Sequence, residues 1–163
     1  MTAINVNTGP FTYEKGTFEP EGALEYIGEN PATPYGKGVY SALMLIGLSG
    51  QKGEEFEPED VVELVKVVRA DQTADPEDET DPGDPSASFI LQRGLYRHKK
   101  KREVVEEDSL RVIILHLTDE DRDEFKENIL AMAEELANEF DQEEVIVEFQ
   151  NKGVTDEVFG VTA

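Results

Sequence analysis

The sequence contains no cysteine and no tryptophan. Lack of cysteine removes disulfides, zinc–thiolate sites and thiol catalysis together. Histidine is almost missing as well: His98 and His116 are the whole supply, too few to build a transition-metal cluster. Basic residues are scarce, 15 against 37 acidic ones in 163 residues, for a formal net charge of -22. A chain so charged repels nucleic acid and anionic membrane as a whole. Long apolar runs are absent too. The longest, Val39–Leu48, falls far short of the roughly 20 residues that a bilayer-spanning helix needs. Met1–Asn5 has neither the basic nor the apolar segment of an export signal. The expected location is therefore cytoplasm or virion, without signal-peptide secretion.

What remains is 38% apolar and 32% charged, which suits a modest core under a heavily charged surface. The length fits one domain. The acidity admits three readings: a solvated surface like that of proteins from salt-accumulating halophiles, mimicry of nucleic acid, or complementarity to a basic partner.

Residues 1–37 read as an extended arm. Gly9-Pro10, Glu19-Pro20, Asn30-Pro31 and Thr33-Pro34 interrupt any helix, because proline removes a donor and biases its predecessor away from α. The arm nonetheless carries Phe11, Tyr13, Phe18, Tyr26 and Tyr35, aromatic anchors suited either to wrapping its own core or to docking on a neighbouring subunit. Residues 38–163 read as a single α+β domain.

Within that domain, Val39–Leu48 predicts a central strand covered on both faces. The glycines at 47, 50 and 53 that follow lack the Gly-Lys-Ser/Thr ending of a phosphate loop and read as a turn. Pro58 opens a helix whose apolar stripe is Val61, Val62, Leu64, Val65 and Val68, with Glu63, Lys66 and Arg69 assigned to the opposite face. Residues 71–85 form an acidic, proline-punctuated loop. Its Asp75, Asp78, Asp81 and Asp84, spaced by three, are weak candidates for clamping a hard cation such as calcium, although no EF-hand register fits. Ser88–His98 and Leu110–Leu117 read as strands, with Gly94 as a bulge. Thr118 is assigned as the cap of a second helix with Asp121 completing a capping box, and Phe125, Ile129, Met132, Ala133, Leu136 and Phe140 keep helical spacing. Glu144–Gln150, a turn at Asn151-Lys152-Gly153 and Val154–Thr162 complete a hairpin.

The element order matches a ferredoxin-like βαββαβ sandwich, an antiparallel sheet with two helices on one face, extended by an extra C-terminal strand. That fold hosts many functions and argues for none.

Catalytic residues cannot be picked out. His116 sits between Leu115 and Leu117 and reads as a structural strand histidine, and 37 carboxylates make any acid–base pairing cheap. No cofactor motif is present. The one local anomaly is Arg97-His98-Lys99-Lys100-Lys101-Arg102, which holds five of the 15 basic residues and precedes the acidic Glu103–Asp108. On a hairpin tip, Arg97, Lys99, Lys100, Lys101 and Arg102 would either protect a sheet edge or contact an acidic protein surface. Direct nucleic-acid binding is disfavoured by the surrounding charge, and no membrane contact is expected. These features lead to a non-enzymatic structural or assembly protein that joins copies of itself or other subunits, such as a virion component from a high-salt host. The alternatives are an acidic decoy or regulator that binds a basic nucleic-acid-binding protein, and a small ferredoxin-like enzyme.

Overall fold

The apolar run that predicts a covered strand forms β1, Tyr40–Gly47. In the computed structural model, which describes residues 39–97 and 102–163, β1 is followed by α1 (Pro58–Thr73), β2 (Ser88–Arg97), β3 (Val104–Leu115), α2 (Arg122–Glu139), β4 (Val145–Asn151) and β5 (Val154–Val161). The arm aromatics Phe11, Tyr13, Phe18, Tyr26 and Tyr35 lie outside the described residues, as do His98, Lys99, Lys100 and Lys101.

The five strands form one antiparallel sheet in the order β2-β3-β1-β4-β5. The first four reproduce the ferredoxin-like plan, and β5 adds an edge. Strand β1 lies at the centre, where Met44 pairs with Val112 of β3 and with Val147 of β4. Side chains alternate across a strand, so Tyr40, Ala42, Met44 and Ile46 face one way. They are buried against Phe125, Ile129 and Leu136 of α2 and Val61 and Val65 of α1. Phe125 meets Tyr40 edge-on at 6.0 Å, and Tyr40 stacks on Phe149 at 5.9 Å, a preferred aromatic geometry. Ser41, Leu43 and Leu45 face the opposite side, which no described helix covers.

Three local expectations change. Asp121 rather than Thr118 caps α2, its carboxylate accepting from the Glu124 amide at 2.8 Å. Thr118 is drawn instead toward Glu120. Gly94 pairs in register with Glu107, and the sheet irregularity falls between Phe149 and Gln150. Arg69 does not share the solvent face with Glu63 and Lys66. It continues the Val61–Val65 stripe one further step of four and is 1% exposed, because a buried carboxylate awaits it. No helix among the described residues is long and apolar enough to cross a membrane.

Candidate active site

Past the end of β3 the chain turns through Thr118 and Glu120 before α2 begins. This turn is where α1, β3 and α2 meet. Arg69 reaches in from α1 and donates from Nη2 to Glu120 Oε1 at 2.5 Å and from Nη1 to Oε2 at 3.3 Å. Asn128 Nδ2 donates to Oε2 at 2.5 Å, and the Thr118 hydroxyl donates to Oε1. The Arg69 and Glu120 side chains are 1% and 8% exposed, and the guanidinium lies 5.2 Å from the Phe125 ring centroid. Gln72 extends the network by donating to the Asn128 carbonyl at 2.7 Å. Burial alone would raise the Glu120 pKa. Hydrogen bonds from Arg69, Thr118 and Asn128 outweigh it, and the net shift is downward. Such a carboxylate stays ionised at neutral pH and has its lone pairs engaged, so it ties three elements together rather than moving protons. His116 belongs to the same tie. Its ring stacks on Phe125 at 4.6 Å, and its Nε2 lies 2.5 Å from the Glu120 carbonyl oxygen. A carbonyl only accepts, so that nitrogen carries the proton and is not a free base.

Beside the tie opens a cleft of about 510 Å³, walled by Leu117, Asp119 and Glu124 on one side and Thr73, Asp81 and Asp84 on the other. The loop wall is built by its aspartates. Asp75, Asp78, Asp81 and Asp84 each accept from the amide two residues on, at 2.9, 3.0, 2.9 and 3.0 Å. Their spacing by three thus produces successive Asx turns. Among the described residues no group of three or more His, Cys, Asp or Glu converges to hold a metal ion. Side-chain and then backbone hydrogen bonds from Thr80 lower the Asp78 pKa, and the same contacts from Ser86 lower that of Asp84.

The face of the sheet that no described helix covers is a second polar locus. Ser41, Gln92, Ser109 and Glu148 are buried there, and the pairing register places them on the same face as Leu45, Ile90 and Ile113. The helix-covered face, by contrast, has a core of apolar side chains. Near the β2–β3 connection, Arg93 pairs with Asp108 at 2.9 Å and Glu106 at 3.4 Å. Of the basic run, Arg97 ends β2 and Arg102 is exposed with φ 53°.

The sequence pattern singles out neither Glu120 nor Glu148. Arg69 had a usable signal, since it lies four residues beyond Val65 on the buried stripe. Glu148 had a weaker one, as a carboxylate set between Val147 and Phe149 in β4. Glu120 had none, being one carboxylate among 37.

No protein-family model matches the chain, and no curated protein matches it. Two solved structures do. A phage SAM lyase in complex with S-methyl-5'-thioadenosine superposes with a TM-score of 0.66 at 33% identity, covering 78% of this chain and 92% of that one. A phage SAM lyase in the apo state gives 0.64 and 33%, covering 77% and 91%. Both neighbours are enzymes, so the expectation of a non-enzymatic structural or virion assembly protein is overturned. Charge asymmetry and an aromatic arm had suggested contact surfaces, but neither feature reports on chemistry. At this identity, over nearly the whole of the neighbour, the chain belongs to the phage SAM lyase family.

Proposed function

We propose that this protein is itself a SAM lyase, cleaving S-adenosylmethionine to release S-methyl-5'-thioadenosine. The observation that carries the reading is the 33% identity extending over 92% of the matched enzyme. Atom balance fixes the bond. The thioadenosine keeps the sulfur, its methyl group and the nucleoside, so the bond that breaks joins sulfur to the four-carbon amino-acid chain. The electron pair goes to sulfur and the sulfonium becomes a neutral thioether. No water is consumed by a lyase, so the released carbon chain closes on its own carboxylate or loses a proton. The leaving group is activated by its own positive charge. The protein's task is then to bind and orient the substrate, which is largely work of position. An acidic surface with a net charge of -22 also favours encounter with a cation.

Incubating the purified chain with S-adenosylmethionine and quantifying S-methyl-5'-thioadenosine by chromatography tests the reading. Release well above the buffer control, without a methyl acceptor, is expected. Release at the control rate would overturn it.

A further inference from the structure

We propose that residues 1–38 supply the layer over the sheet face that no described helix covers, so that they are a built part of this domain. The inference concerns an interface within the chain and stands apart from the lyase reading.

That face is apolar and closed to water. A sheet with one solvated face alternates apolar with polar residues. Here Leu43, Leu45, Ile90, Ile113 and Ile146 point away from α1 and α2, on the side opposite Ala42 and Met44. Ser109 is 0% exposed, Ile90 1% and Ile113 3%, and Leu45 and Gln92 are buried beside them. Strands run about 4.8 Å apart, and side chains stand up from a bare sheet with their tips in water. Lateral neighbours alone therefore do not close a patch that spans β1, β2 and β3. These exposures are those of one chain, so the cover belongs to the chain itself.

Two segments lie outside the described residues, 1–38 and 98–101. The second joins β2 to β3 beyond the paired Arg97 and Val104. A chain of that length spans at most about 14 Å, too little to reach Ile113 and return. The first is long enough several times over, since five strands measure about 20 Å across. It also brings suitable side chains: Phe11, Tyr13, Phe18, Tyr26, Ile27 and Tyr35 carry large apolar bodies that gain by burial. Its point of entry favours the same face. Val39 lies at the start of the central strand, where its carbonyl accepts from the Lys152 amide at 3.3 Å. On the helix side that end is already closed, with the Arg122 guanidinium 4.4 Å from the Tyr40 ring centroid and Phe125 edge-on to the same ring. The open route runs past Ser41 onto the other face. The matched lyase is 92% covered while accounting for 78% of this chain, so this chain carries a surplus about as long as that segment. The locus of Ser41, Gln92, Ser109 and Glu148 then lies beneath the chain's own N-terminal residues, and reaching it from solvent requires moving them.

Photo-crosslinking and thiol protection test the assignment in the full chain. With p-benzoylphenylalanine in place of Phe18 or Tyr26, irradiation should link the probe to Leu43, Leu45, Ile90 or Ile113 of the same chain. Mass spectrometry of the monomer band reads the position. No link, or links confined to α1 and α2, would overturn the proposal. Links found only in a dimer band would overturn it too, by making a second copy the cover. The chain has no cysteine, so single introduced thiols report on exposure. Val67 on α1 is 59% exposed and gives the open reference. Ser109→Cys should react with Ellman's reagent at least about a hundredfold slower than Val67→Cys, because it must wait for a local opening. Replacing Phe11, Tyr13, Phe18, Tyr26 and Tyr35 by serine in the Ser109→Cys chain should restore most of the rate, while Ala42→Cys under the helices stays protected. Fast reaction of Ser109→Cys in the otherwise native chain would show a bare face and end the proposal. Protection that survives the serine replacements would assign the cover elsewhere. Should those replacements also expose Ala42→Cys, the domain needs the segment to fold, and the crosslink positions decide.

Discussion

Arg69 and Glu120 show how one pair can fix a junction. Each is costly to bury alone, and each removes the cost for the other only while both are present. Arg69→Met should therefore lower stability by about 3–5 kcal/mol, since it strands a carboxylate. The double change Arg69→Met with Glu120→Leu should recover most of the loss. Urea unfolding of the two variants measures this, and equal losses in single and double variants would contradict a coupled pair. The same residue gives a pH signature. The Glu120 carboxyl titrates below its ordinary value of 4.5 in the fold, so its contribution is fully present above that pH. It is lost as pH falls through the lower folded value. The stability gap between wild type and Glu120→Gln should accordingly be constant at neutral pH and close on acidification. A gap that widened at low pH would reverse the sign of the linkage.

At the scale of elements, the acidic loop changes meaning most. In the sequence it reads as a solvated acidic loop or a cation clamp, because composition reports only charge and proline. In the structure each aspartate spends one oxygen on its own turn, and Asp81 Oδ2 also accepts from the Asp75 amide at 2.8 Å. Gly83 presses the loop onto the end of α1. Its φ is 71°, and a Cβ there would collide with the Ala70 carbonyl. Gly53 has a φ of 87° with nothing within 4 Å of a Cβ. Gly53→Ala should then cost only the left-handed backbone penalty, about 1–2 kcal/mol, and Gly83→Ala clearly more. Thermal melts of the two variants compare them directly, and a smaller loss at Gly83 would refute the packing. The elements themselves were readable in advance. The run Tyr40–Ile46 is almost continuously apolar, the stripe Phe125–Phe140 is strongly periodic, and neither is broken by proline, so local pattern and tertiary burial agree. The misreadings, Thr118 as cap and Gly94 as bulge, fall where a polar or flexible residue has several local uses. Only a distant partner decides among them.

At the scale of the whole molecule, a formal charge of -22 opposes compaction through self-repulsion. Salt shortens the screening length from about 30 Å at 0.01 M to about 3 Å at 1 M. The melting temperature should therefore climb by several degrees over that range, while the penalty of Arg69→Met stays constant because its ion pair is shielded from solvent. A flat salt response would remove the high-salt reading of the acidity. Fold class, strand and helix order and the central place of β1 were all legible in the order of residues. Each follows from near-neighbour periodicity, which burial then rewards. Which of the carboxylates matter was settled only by folding. Glu120 differs from its neighbours only because Arg69, 51 positions away, ends up beside it. Glu148 differs only because its strand lies inside the sheet, with its side chain buried on the face the described helices leave uncovered. Charge is a property of a residue, but its environment is a property of the fold.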